Sequence, residues 1–174
     1  GSEPTEMNVS AGKYYAFYHA KRMPAESLLD AINTATGTAT KFKDLPPGTL
    51  AIELPDTNYP NYFLKTFGKP LRVSVCECER APDENLAQAL HTLNGDTIAK
   101  KISDPQSHLG KLLTAEAPVD EVIAHIFMAT LSRAATPDEQ LLCKQIVSEA
   151  ATMKEGCEDV LWALINSKQF IYIQ

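Results

Sequence analysis

From residue 104 to residue 170 the sequence repeats one device: a helix-start signal, an apolar stripe at helical spacing, and a stop. The sharpest start is Thr136-Pro137-Asp138-Glu139, a capping box with proline at the first helical position and a glutamate placed to reach back. It predicts a helix running to about Lys154 that buries Leu142, Ile146, Ala150 and Met153. Asp104-Pro105 predicts a helix ending near Thr114. Pro118 opens another, with Val119, Val122, Ile123, Ile126, Phe127 and Leu131 on its inner face. Gly156 reads as the break before a helix over 158–166, in which Val160, Leu161, Leu164 and Ile165 turn inward and Trp162 lies at the edge. Ser167 then caps a last turn carrying Phe170, ahead of an extended Ile171-Tyr172-Ile173. Connections this short favour antiparallel neighbours.

The first hundred residues are less regular. Pro24 to Gly37 is a well-punctuated helix: Glu26 lies at its positive end, Leu28, Leu29, Ile32 and Ala35 form its stripe, and Gly37 suits a left-handed stop. Tyr14, Tyr15, Phe17 and Tyr18 ahead of it are expected to pack on the domain. Residues 50–54 alternate apolar and polar, which predicts an extended segment. A short helix over 62–67 closes at Gly68. Residues 72–79 have strand character, and a helix over 85–93 stops at Asn94-Gly95. Asp96 restarts a turn that runs to about Ile102. The predicted fold class is mainly α, an irregular multi-helix bundle with one or two short extended or β segments near residues 50–54 and 72–79. Gly1-Ser2 reads as a cloning scar and residues 1–12 as a loose tail. Residues 13–174 then form a single helical domain, the C-terminal fragment of a larger protein.

Composition narrows the partners. With 174 residues and 44% hydrophobic content, the chain can bury a real core. A net charge of −6 lacks the electrostatic footprint of a general nucleic-acid binder. No run approaches the roughly 18 apolar residues of a membrane span.

The most chemically mixed stretch is Phe67 to Gly95. It holds Arg72, Cys76, Glu77, Cys78, Glu79, Arg80, His91 and Asn94, the candidate functional or structural cluster. Cys76, Cys78 and His91 are suitable zinc ligands, but a zinc site needs a fourth and Cys-x-Cys wraps an ion poorly, so no metal is assigned. Arg72, Glu77, Glu79 and Arg80 read either as an anion site or as an ion-pair network pinning an irregular segment to the helices. The four cysteines, Cys76, Cys78, Cys143 and Cys157, allow three complete pairings, and four buried free thiols are the plainer alternative. Cysteines two apart rarely close on each other. No Cys-x-x-Cys-His is present, so the chain attaches no c-type haem itself. His19, His91, His108 and His125 are scattered, Asp56, Glu77, Glu79 and Asp96 have no fixed spacing, and no serine sits in a nucleophile elbow. No catalytic residue is assigned.

Several motifs occur in order along the chain: Lys21-Arg22-Met-Pro-Ala-Glu26, Leu28-Leu-Asp-Ala-Ile32, Ile52-Glu-Leu-Pro-Asp56, Phe67-Gly-x-Pro-x-Arg72, Cys76-x-Cys-Glu-Arg80, Gln88-Ala-Leu-His-x-Leu-Asn-Gly95, Leu131-Ser-Arg-x-x-Thr-Pro-x-Glu139, and Asp159-x-Leu-Trp-Ala-Leu-x-Asn-Ser-Lys168 with Phe170. In these the chain resembles the uncharacterised DUF1553 or PSD1 domain of planctomycete proteins, from about Tyr14 onward. The family often closes with an Asn-His pair after the phenylalanine. Here the tail is Ile171-Tyr-Ile-Gln174, so no role passes to a terminal histidine. The resemblance implies the C-terminal part of an exported, extracytoplasmic multidomain protein, with a cytochrome-c-like domain, and hence haem c, upstream. A carbohydrate-binding-like module sometimes accompanies it. The resemblance implies no activity for the domain itself.

Two functions are therefore expected. One is a non-catalytic helical interaction or structural module that docks on the upstream domains of its parent. The other is an accessory part of an extracytoplasmic enzyme, polysaccharide-processing or redox, with a site near Arg72–Arg80. The absence of a legible catalytic constellation favours the first.

Overall fold

The computed structural model describes residues 21–54, 60–61, 63–64 and 97–173. Seven α-helices, one 3₁₀ turn and a two-stranded sheet are found among them. The described part is mainly α, as the sequence predicts. In chain order these are β1 (Lys21–Arg22), α1 (Ala25–Thr36), the 3₁₀ turn (Ala51–Glu53), α2 (Thr97–Ile102), α3 (His108–Thr114), α4 (Val119–Leu131), α5 (Pro137–Glu149), α6 (Met153–Ile165), α7 (Lys168–Ile171) and β2 (Tyr172–Ile173). The extended segment expected at 72–79, the helix expected at 85–93 and the bulk of the one at 62–67 lie outside the described residues.

α6 is the hub of the packing, touching α2, α3, α4, α5 and α7. Its buried face is Gly156, Cys157, Val160, Leu161 and Ile165. Val122, Ile123, Ile126 and Phe127 of α4 and Leu28, Leu29 and Ile32 of α1 belong to the same core. Phe63 and Leu64 are buried in it too. A fully buried side chain of this kind is worth about 1.5–3 kcal/mol of transfer free energy.

The ends of the helices are built from local chemistry. Thr136 accepts a hydrogen bond from the Glu139 N–H at 3.3 Å, and the Glu139 carboxylate accepts one from the Thr136 N–H at 2.8 Å, completing the capping box. Ser167 likewise accepts from the Phe170 N–H. α1 stops at Gly37, whose φ of 69° lets its N–H and that of Thr38 reach back to the carbonyls of Thr34 and Asn33. β1 pairs antiparallel with β2, Lys21 opposite Ile173 and Arg22 opposite Tyr172. The Met23 N–H extends the ladder to the Ile171 carbonyl at 3.0 Å.

Four expectations are corrected. Residues 50–54 are not extended throughout: Ala51–Glu53 turn as 3₁₀. The cause is two carboxylates. Glu53 takes the Leu50 N–H at 2.9 Å, and Asp30 of α1 takes the N–H groups of Ala51 and Ile52 at 2.7 and 3.1 Å. Those donors would otherwise have to find a strand partner. α3 begins at His108 rather than at Pro105, because Asp104 accepts from the Gln106 N–H in a side-chain turn and Ser107 is the true cap, accepting from Gly110. α5 ends at Glu149, not Lys154, and Gly156 lies inside α6. Ala150 is extended, and Thr152 caps a fresh start by accepting from the Glu155 N–H. The buried stripe of α5 is Cys143 and Val147, one residue displaced from the predicted one; Leu142 is 58% exposed and Ile146 only half-buried. Gly156 explains the displacement. A Cβ placed on it would lie 2.6 Å from the Val147 Cα, so this glycine is where α5 and α6 touch backbone to backbone.

Candidate functional site

The predicted cluster, Arg72, Cys76, Glu77, Cys78, Glu79, Arg80, His91 and Asn94, lies wholly outside the described residues. The described polar groups gather instead into joints between helices.

The largest joint is centred on Arg133, just past the end of α4. Its guanidinium donates to both carboxylate oxygens of Glu139 at 2.7 Å, to the Ala134 carbonyl at 3.0 Å and to the Gln169 side-chain oxygen at 2.8 Å. It also lies 5.5 Å over the Phe127 ring. One side chain thereby ties α4, the first turn of α5 and α7. The fork geometry matches a carboxylate with two parallel bonds. Because the ionised form collects the Arg133 guanidinium, the Thr136 N–H and the Thr136 hydroxyl contact, the Glu139 carboxyl is held at about 2, well below the usual range. The same bond to Glu139 raises Arg133 further. A smaller joint links α4 to α5: Asp120 accepts from Lys144 at 2.6 Å and from Gln140 at 3.0 Å. The Lys144 bond, with Gln140 adding to it, lowers the Asp120 carboxyl.

A second group lies at the end of α1. The Thr36 and Thr38 hydroxyls are 2.8 Å apart, and Lys101 of α2 donates to the Thr38 carbonyl at 3.1 Å. Burial lowers the Lys101 ammonium, partly offset by Asp104. Its position satisfies a carbonyl beyond a helix C-terminus, where a cation is favoured.

The third group escaped the sequence reading, in which the histidines look scattered. His108, the first residue of α3, and His125, in the middle of α4, bring their rings to 5.3 Å in an edge-to-face arrangement. His108 also covers Gly37: a Cβ there would lie 2.6 Å from the His108 ring atoms. Among the described residues the His125 Nε2 is buried with no hydrogen-bond partner. Burial lowers the His125 imidazole, and His108 adds to the effect. The one available signal was spacing: His125 sits three residues past Val122 and one before Ile126, at the margin of a buried stripe.

Cys143 and Cys157 are free and buried, and burial raises both thiols, which keeps them in the unreactive protonated form. Among the described residues no three or more His, Cys, Asp and Glu side chains are arranged to hold a metal ion, and no helix is long and apolar enough to cross a membrane. A cleft of about 230 Å³ lies between α2, α3 and α6, lined by Ile102, Leu109 and Leu113 together with Lys154 and Glu158. It mixes apolar walls with one loose ion pair of 3.7 Å.

The fold and these joints define a mainly-α, multi-helix domain in which several described polar side chains fasten one helix to another. Residues 2–147 match the model of PSD1, a protein of unknown function (DUF1553), and the chain belongs to that family. The matched span ends within α5, ahead of α6 and α7. No curated protein and no solved structure matches the chain.

Proposed function

We propose that this domain is a non-catalytic interaction and structural module of an exported planctomycete protein, docking on the upstream domains of its parent, where the haem resides. The observation that supports it is how the motif residues are spent. Within Leu131-Ser-Arg-x-x-Thr-Pro-x-Glu139, the arginine and the threonine both bind the glutamate at a helix junction. The aspartate of Leu28-Leu-Asp-Ala-Ile32 holds the backbone of the isoleucine that opens the next motif. Side chains used in this way determine shape and leave no free acid, base or nucleophile at those positions.

Docking needs a surface. On α5, Leu141 and Leu142 are 71% and 58% exposed, and Met128 on neighbouring α4 is 55% exposed. Adjacent exposed leucines on one helix are unusual for a solvated face.

The test mixes the purified domain with the purified upstream part of the parent and reads co-elution and binding by calorimetry. Binding by the native chain, weakened at least tenfold in the double variant Leu141→Glu, Leu142→Glu while its helical content is unchanged, supports the module. A folded domain that does not bind refutes it. Loss of parent enzyme activity on Arg72→Ala or Arg80→Ala with binding intact favours the accessory-enzyme alternative.

A further inference from the structure

The His108–His125 pair brings together two side chains of the one type whose ordinary titration range is mildly acid, which the helix joints lack. The geometry makes that change costly. Two imidazoles with centroids 5.3 Å apart can both become cationic only against mutual repulsion. The buried His125 Nε2 has no acceptor among the described residues, so the cationic ring, protonated on both nitrogens, leaves an N–H there unpaired. Of the other charged groups on the surrounding elements, several are bonded elsewhere or exposed, and Glu26 lies in the first turn of α1, at the opposite end from Gly37. On α1, Asp30 accepts from Ala51 and Ile52. Lys101 of α2 is bonded to Thr38. Lys111 of α3 and Glu121 of α4, each within a turn of the pair, are exposed. On α6, Lys154 is paired with Glu158. His108 is the charge that acts on His125.

The pair also sits at a mechanical junction. His108 starts α3 and lies on the left-handed glycine that ends α1, while His125 is embedded in α4. Moving the His108 ring therefore uncovers the α1 cap and shifts α3 together.

We propose that His108 and His125 form an acid-sensitive joint that locks α1, α3 and α4 together while neutral and releases α3 when doubly protonated. The direction follows from linkage. The unfolded chain takes up the His125 proton more readily than the folded one. Stability is thus fully present above 6.5, the ordinary value, and is lost progressively as pH falls below it. Each unit by which a folded-state value is lowered multiplies the unfolding constant by up to about tenfold.

The experiment has two arms. Imidazole proton resonances of the intact chain are followed from pH 8 to pH 4.5, with the His125 signal assigned by its loss in His125→Phe. Urea unfolding is measured at pH 8 and pH 5 for the native chain, His125→Phe and His108→Phe. His125 is expected to titrate below 6.5. The rise in unfolding constant between pH 8 and pH 5 is expected to exceed that of His125→Phe by roughly threefold or more. His108→Phe, which keeps a ring on Gly37 but removes the neighbouring charge, should move the His125 titration upward. A His125 that titrates at or above 6.5, or equal acid losses in the native chain and His125→Phe, overturns the proposal. If His125→Phe does not fold, the His125 signal is assigned by its through-space contact to His108, and its titration in the native chain decides alone.

Discussion

Gly156→Ala is the most informative single substitution in this chain, because helix propensity and packing predict opposite signs. An alanine inside a helix is favoured over glycine by about 1 kcal/mol. Were Gly156 an ordinary solvent-facing position inside its helix, the substitution would stabilise the protein by that amount. In the structure the new methyl lies 2.6 Å from the Val147 Cα, 3.1 Å from the Ala150 Cβ and 3.3 Å from the Val147 Cβ. Carbon atoms rest at roughly 3.5–4.0 Å, so α5 must retreat by about 1 Å. A side chain could rotate out of the way; a Cα cannot. Retreat opens the contact made by Cys143, Val147 and Cys157, all buried there, and a gap of that size forfeits about a quarter to a half of the contact attraction. Overpacking of this kind costs about 1–3 kcal/mol, which outweighs the propensity gain when the core cannot relax. Because the obstruction is a backbone atom, the cost falls in the upper half of that range, about 2–3 kcal/mol. Subtracting the propensity gain of about 1 kcal/mol leaves an expected net loss of about 1–2 kcal/mol in urea unfolding, or a midpoint drop of about 2–8 °C on heating. Ala163→Gly, at an exposed position of the same helix, measures the propensity term separately and should cost about 1 kcal/mol. An unchanged or raised stability in Gly156→Ala would refute the backbone contact.

Glu139→Gln should remove an acid-dependent part of the stability: the native carboxylate contributes above about 4.5 and loses its contribution as pH falls toward 2, so the native and variant unfolding curves should converge across that window. Asp30→Ala leaves the N–H groups of Ala51 and Ile52 without their acceptor and should cost about 1–2 kcal/mol in urea unfolding, with Asp30→Asn recovering part of it. Ser132 holds a φ of 53° at the end of α4, a conformation that strains an L-residue, so Ser132→Gly should stabilise by up to about 1 kcal/mol, read as a raised thermal midpoint.

Legibility in this chain follows the range of the interaction concerned. The caps at Thr136, Ser167 and Gly37 each close through partners three to five residues away, and each is where the sequence places it. The helix over 119–131 was equally plain, since its stripe repeats at helical spacing and nothing nearby competes. Where a second local signal competed, the reading slipped. Asp104 and Ser107 both look like starts, and only the hydrogen bond to Gly110 distinguishes them. The stripe of α5 slipped by one residue because Leu142 and Cys143 are both apolar, and the partner that selects between them, α6, lies beyond the helix in question.

The chain alone determined that it would be helical, where most of its helices begin, and that Arg133, Thr136 and Glu139 share one short stretch. Tertiary structure alone decided that Arg133 also reaches Gln169, that Asp30 supports a turn at Ala51, that β1 meets β2 from the far ends of the described chain, and that two histidines on different helices share one junction. The physical reason is that caps and stripes depend on neighbours within one or two turns, whereas these pairings exist only once α6 has drawn the other helices around a common core.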